Sequence, residues 1–129
     1  MFRFRLDSSS GVPPYLQLVH QVRQALLLGY LQEGDRLPTV KDVAASLVIN
    51  PNTVVKAYRQ LEHERLAGGR PGQGTFITAT SAPVPSQTQE DLRASLEAWL
   101  RTAEQAGMSD EAVTALIAMA RHDMRKERV

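Results

Sequence analysis

The chain has 129 residues, 43% hydrophobic and 22% charged, with a formal net charge of +1 and no cysteine. These are globular proportions, with room for one compact domain and an appendage; wholesale disorder is excluded, and with no apolar run of ~18 residues so is a helical membrane span. Without cysteine there are no disulfides or thiolate metal sites, which fits a reducing cytoplasm, and Met1-Phe2-Arg3-Phe4-Arg5 lacks the apolar stretch of a secretory signal.

In chain order, Phe2-Arg3-Phe4-Arg5-Leu6 alternates like a strand, or is an arm that orders only on packing, before Asp7-Ser8-Ser9-Ser10-Gly11 breaks it. From Pro14 to about Leu31 the spacing is helical, with Tyr15, Leu18, Val19, Val22, Ala25 and Leu26 on one stripe. Gly29 weakens its last turn, Glu33-Gly34-Asp35 is a turn cluster, and Pro38 forbids continuation. Thr39-Val40-Lys41-Asp42 has the form of a capping box opening a short helix with Val43, Ala44 and Leu47 inward. Val48 and Ile49 form the turn. Asn50 then suits an N-cap and Pro51 the first position of a helix reaching about Arg65. Val54, Ala57, Tyr58 and Leu61 make its inner stripe, while Asn52, Val55, Lys56 and Arg59 face out.

Leu66-Ala67 and Thr75-Phe76-Ile77-Thr78 read as two short strands around the run Gly68-Gly69-Arg70-Pro71-Gly72-Gln73-Gly74, with Gly68 and Gly69 as turn glycines. Residues 79–89, with Pro83 and Pro85, have linker composition. Thr88 is expected to cap a helix through about Ala106, stopped by Gly107, with a further helix from Ser109-Asp110-Glu111. The last residues, Arg125-Lys126-Glu127-Arg128, put cations near the helix end and are expected to fray. The fold class that follows is mainly α with a small β-hairpin: a winged helix-turn-helix domain (1–79), a linker (80–87) and a two-helix dimerisation tail (88–129).

Three blocks of sequence carry a resemblance. They are Pro14-Tyr15 with Gly34-Asp35-Arg36-Leu37-Pro38-Thr39-Val40-Lys41-Asp42-Val43-Ala44; Asn50-Pro51-Asn52-Thr53-Val54-Val55-Lys56-Ala57-Tyr58-Arg59-Gln60-Leu61-Glu62; and Gly72-Gln73-Gly74-Thr75-Phe76. In this order they resemble the N-terminal domain of GntR-type bacterial transcription regulators, and the short tail with the Asn-Pro-Asn-Thr start resembles the YtrA subfamily. The resemblance implies a homodimer on a palindromic operator of double-stranded DNA, repressing a neighbouring operon, often one encoding an ABC transporter. The chain departs from the family pattern near Val48, where glycine is usual. It departs again at Arg65 and Ala67, where glycine and a larger apolar residue are more common, and its wing tip carries fewer charges than many.

Residues 1–80 hold nine Lys and Arg against six Asp and Glu, and residues 81–129 hold six against eight, so the front alone suits phosphate. Asn50 opens the second motif helix, and Asn52, Thr53 and Lys56 occupy the turns that enter a major groove in such motifs. Asn52 suits adenine, Thr53 a thymine methyl or a phosphate, and Lys56 and Arg59 suit phosphates; a plain solvated face is the alternative. The resemblance implies that Arg36 and the first turn at Thr39 and Lys41 lie against the DNA backbone, where a helix N-terminus also donates to phosphate. A surface ion pair of Arg36 with Asp35 or Glu33 is the plainer reading. Gly72 and Gly74 let the hairpin approach DNA closely, so that Arg70 or Gln73 reaches the minor groove or its phosphates.

Each tail helix bears one apolar stripe: Leu92, Leu96, Trp99, Leu100 and Ala103 on the first, Val113, Leu116, Ile117, Ala120 and Met124 on the second. A lone helix pair buries too little to be stable, so the stripes need either a second copy or the chain's own first helix. Trp99 is read as dimer core, or as lining a small effector cavity; an effector, if one exists, would bind in the tail or at an interface. His20, His63 and His122 have no ligand spacing, so neither metal nor cofactor is expected. No catalytic triad or paired-carboxylate pattern is present, so an enzyme is not expected. The rival function is a winged-helix protein-interaction module.

Overall fold

A computed structural model describes residues 1–80 and 85–127 of the chain. It divides into two units, Met1–Val84 and Pro85–Val129. In the first unit, helix α1 (Pro14–Leu27) buries Leu18, Val19, Val22, Ala25 and Leu26, leaving Tyr15 half-buried at the margin. Helix α2 (Val40–Leu47) adds Val43 and Ala44. Helix α3 (Pro51–His63) buries Val54, Ala57, Tyr58 and Leu61, the predicted inner stripe. Fully removing side chains such as Val54 and Leu61 from water contributes roughly 1.5–3 kcal/mol each. Helix α3 packs closely on both α1 and α2 and on strand β1 (Ala67–Arg70), so it lies at the centre of the unit.

The helix ends correct the expected bounds. Helix α1 stops at Leu27, not near Leu31, because Gly29 takes φ +76°. The Tyr30 N–H then donates to Ala25 and the Gly29 N–H to Leu26, closing a Schellman motif and turning Leu31 into the core. Helix α3 stops at His63 through the same motif, with Arg65 at φ +61° and the Leu66 N–H donating to Leu61. Arg65 is one of the positions where the family favours glycine, and the backbone gives the reason.

Between α2 and α3 the expected caps form in part. Thr39 Oγ1 accepts from the Asp42 N–H at 3.1 Å, but no return bond from the Asp42 carboxylate to the Thr39 N–H is made, since Asp is one carbon shorter than the usual Glu. Asn50 Oδ1 accepts from the Asn52 N–H at 2.9 Å and Pro51 takes the first helical position. Val48 terminates α2 in the left-handed region, at φ 55° and ψ 53°.

Strand β1 pairs antiparallel with β2 (Gly74–Ile77) in the register Ala67↔Ile77, Gly68↔Phe76, Gly69↔Thr75 and Arg70↔Gly74. Gly68 and Gly69 therefore lie inside a strand and not in the turn, a second correction. The turn is Arg70-Pro71-Gly72-Gln73, with Gly72 at φ +74° and the Gln73 N–H donating to Arg70, as Pro-Gly at its centre favours. On its other edge β2 exchanges bonds with the 34–37 segment, Leu37 N–H to Thr75 and Ile77 N–H to Asp35.

Residues 1–13 form no strand. The Gln21 amide brackets the Arg5 backbone, accepting its N–H at 2.8 Å and donating to its carbonyl, and Gln17 does the same for Asp7. Two glutamines on α1 thus replace a strand partner, and Phe4 is buried as part of the core. Its ring lies 4.9 Å edge-on from Phe2 and 6.3 Å from Tyr58.

In the second unit, helix α4 (Ser86–Gln105) begins before the expected cap at Thr88. Pro85, extended at φ −57° and ψ 139°, is the N-cap: its carbonyl accepts from the Gln89 N–H, the first bond of the helix, so Ser86 and Gln87 are already helical. Residues 81–84 of the expected linker, Pro83 among them, lie outside the described residues, as does Arg128. Gly107, at φ +89°, closes α4 by the Schellman bonds Met108 to Ala103 and Gly107 to Glu104. Helix α5 (Asp110–Glu127) has Asp110 and Glu111 in its first turn and Arg125 and Lys126 in its last, as its dipole favours. Ser109 Oγ accepts from the Ala112 N–H. No described helix is long and apolar enough to cross a membrane.

Val48 is 89% exposed, so its side chain gains almost nothing from packing while its backbone sits where a branched Cβ is crowded. Val48→Gly is expected to raise stability by ~0.5–1 kcal/mol, the strain relieved less the extra freedom of glycine in the unfolded chain. A thermal melt checks it: Tm rises by a few degrees, and a lower Tm contradicts the strain.

Candidate nucleic-acid interface

With positions 54, 57, 58 and 61 of α3 buried, the helical period turns 52, 56 and 59 outward. Asn52, Lys56 and Arg59 are exposed, and Thr53 and Val55 are half-buried at the flanks. Asn52, Val55, Lys56, Arg59 and Gln60 line a shallow depression open to solvent. Asn50 is exposed too, but its side-chain oxygen is committed to the cap, leaving only its amide N–H groups for a ligand.

Helix α3 is anchored at its middle and at its C-terminal end. The buried Tyr58 hydroxyl donates to the Pro38 carbonyl, tying α3 to the residue before the α2 cap; burial pushes its pKa up, so it keeps that proton. At the C-terminal end Glu64, the residue capping α3, accepts from Arg23 of α1 and from Gln60. These two donors, Arg23 first, hold the Glu64 carboxyl below its usual range. The pair is partly exposed and contributes little beyond fixing geometry.

Thr39 and Lys41 are exposed at the α2 N-terminus, with the Thr39 hydroxyl engaged by Asp42. In the wing, Arg36, Arg70, Gly74 and Phe76 share one face, as the register Arg70↔Gly74 and the bridge Arg36↔Phe76 require. The Arg70 guanidinium lies 4.2 Å from the Phe76 ring centroid. Gly74 has φ +118°, a backbone conformation that needs glycine, and a Cβ there would press on the Arg36 side chain, 3.0 Å from its Nε. Gly72 and Gln73 are exposed at the tip. The Lys56 ammonium sits 4.0 Å from the Tyr15 ring centroid, joining α3 to the first turn of α1.

Arg36, Lys41, Lys56, Arg59 and Arg70 form no ion pair among the described residues, whereas Arg23 and Arg93 each meet a carboxylate. The plainer expectation for Arg36, a pair with Asp35 or Glu33, is not what forms; Asp35 accepts instead from the Gln32 N–H at 2.8 Å. Sequence reasoning had Tyr15 and Phe76 only as apolar or strand residues. Their contacts with cations depend on a helix crossing and a hairpin register, and no local pattern signals them.

On the tail, Leu92, Leu96, Trp99 and Leu116 are exposed, as is Ala120, while Leu100, Val113 and Ile117 are partly covered. Ala103 is buried, so the two stripes are covered in part and leave Leu92, Leu96, Trp99, Leu116 and Ala120 open to solvent.

The comparisons with known proteins agree with this geometry. Residues 14–77 match the family model of bacterial regulatory proteins, gntR family. The HTH-type transcriptional repressor YtrA of Bacillus subtilis is 39% identical over 74 residues, which span 57% of this chain and 57% of YtrA. The HTH-type transcriptional regulator YhcF of the same organism is 32% identical over 102 residues, 79% of this chain and 84% of YhcF. Among solved structures, a transcriptional antiterminator from Listeria monocytogenes EGD-e superposes with a TM-score of 0.60 at 27% identity, over 95% of this chain and 92% of that one. The chain therefore belongs to the gntR family of bacterial transcription regulators, in its YtrA-like subfamily, with a winged helix-turn-helix domain and a helical tail.

Proposed function

We propose that this regulator reads a palindromic operator in double-stranded DNA as a homodimer and represses a neighbouring operon. The observation that carries the reading is the outer face of α3, where Asn52, Lys56 and Arg59 stand exposed on a helix fixed by its fully buried inner stripe. Asn52 and Thr53 supply base-edge contacts; Lys56 and Arg59 supply phosphate anchors. Arg36, Thr39 and Lys41 hold the flanking backbone, and Arg70, Gly72, Gln73 and Gly74 bring the wing to the minor groove or its phosphates. Repression is supported by the name of YtrA, a repressor. Control of a transporter operon rests on family resemblance alone, as does work in the cytoplasm.

Residues 1–79 read DNA in this proposal and residues 88–129 dimerise, joined through 80–87. The support is physical. Leu92 is 63% and Leu96 49% exposed, on stripes that are covered only in part. Burying such stripes against a second copy gains ~25 cal/mol per Å² of apolar surface and places two α3 helices on one duplex. An effector would enter at the tail or the dimer interface.

Two measurements test these parts. Lys56→Ala is expected to weaken binding to a duplex selected from a random pool. It is also expected to make the slope of log K against log salt shallower by ~1, because one phosphate fewer is neutralised. An unchanged slope contradicts the phosphate role and favours a protein partner for this face. Sedimentation at micromolar concentration is expected to give a dimer for the wild type and a monomer for Leu96→Glu. A wild type that stays monomeric contradicts the assembly.

A further inference from the structure

We propose that Tyr15 is a positioning residue for DNA binding: its ring holds the Lys56 ammonium in place before any phosphate arrives. The inference rests on the reading of α3 as the DNA-facing helix and names how one part of that face is prepared. Lys56 Nζ lies 4.0 Å from the centre of the Tyr15 ring, within the range of a cation–π interaction, and Lys56 remains exposed. Tyr15 is suited to the task because its own position is rigid. It lies in the first turn of α1, behind Pro13 and Pro14, where the Leu16 and Gln17 N–H groups both donate to the Pro13 carbonyl. Its ring packs half-buried against the core, and α1 in turn packs closely on α3.

A free lysine on a helix surface samples many rotamers, and freezing them on binding opposes association. A ring that already confines the ammonium removes part of that cost and leaves the charge whole. No carboxylate competes for it, since Lys56 makes no ion pair among the described residues. The wing repeats the device independently: the Arg70 guanidinium lies 4.2 Å from the Phe76 ring. In both cases an aromatic side chain, not an acid, holds the cation. An acid would have neutralised the charge that phosphate needs; a ring does not.

The test is a double-mutant cycle on the full-length chain with one duplex, selected by the wild type from a random-sequence pool. Tyr15→Leu is expected to weaken binding by about three- to fivefold, the size of an exposed cation–π interaction, with the salt slope unchanged because Lys56 keeps its charge. In the Lys56→Ala background Tyr15→Leu is expected to have no further effect, and Tyr15→Phe, which keeps the ring, is expected to bind like the wild type. Additive effects in the double variant overturn the inference, as does Tyr15→Phe binding as weakly as Tyr15→Leu. Lys56→Ala binding like the wild type with an unchanged slope overturns the reading of α3 beneath it. Thermal melts of each variant separate unfolding from mispositioning, and Tyr15→Phe keeps the comparison valid should Tyr15→Leu unfold.

Discussion

Everything the proposed DNA-facing surface can do depends on the burial of one stripe, Val54, Ala57, Tyr58 and Leu61 on α3. A helix rotated by one residue turns its side chains by ~100°, which would bring Val55 inward and expose Val54. Four apolar side chains held against α1, α2 and β1 prevent that rotation, and Tyr58 adds a directional bond to Pro38 that no rotated state can keep. The outward direction of Lys56 and Arg59 is thus a consequence of the core. Binding needs no rearrangement of α3 to present them.

The same economy extends to the cations. Arg23, which ties α1 to the end of α3, is matched by Glu64, and Arg93 on the tail by Glu97. The cations of the proposed interface meet no carboxylate among the described residues, and two of them, Lys56 and Arg70, lie against rings. Backbone strain is confined to turns in the same way: Val48 and Arg65 adopt left-handed conformations on either side of α3, where a tight change of direction sets its entry and exit. Both are positions where the family more often carries glycine, so the chain keeps the turn geometry and bears its cost.

Much of this was legible in the sequence, for stated reasons. The 3.6-residue period gave the inner faces of α1 and α3, and Asn50-Pro51 marked the start of α3, because a cap and a donor-free first residue are local features. Helix ends were less legible. Leu28 and Leu31 continue the apolar run past α1, and Arg65 does not look like a helix terminator until its φ is known. Gly68 and Gly69 read as a turn, but the true turn at Pro71-Gly72 needs a residue with φ above zero at its third position and leaves those glycines paired in β1. Gln17 and Gln21 look like solvated positions of an amphipathic helix. Their role in bracketing the arm emerges only once residues 5 and 7 lie beside them. The pairings of Tyr15 with Lys56 and of Arg70 with Phe76 belong to the same class, since tertiary placement creates them.

The tail follows a different logic. Helices α4 and α5 are well delimited, by Gly107 and by Ser109, yet much of their stripes, Leu92, Leu96, Trp99 and Leu116 among them, remains exposed. Local signals can end a helix without supplying the surface it needs. The most direct measurement of the central claim follows amide chemical shifts as the selected duplex is added to the labelled protein. The largest changes are expected at residues 52–59 and 70–74, with the buried face of α1 nearly still. A bound complex in which residues 52–59 keep their free-state shifts would contradict the placement of α3 against DNA.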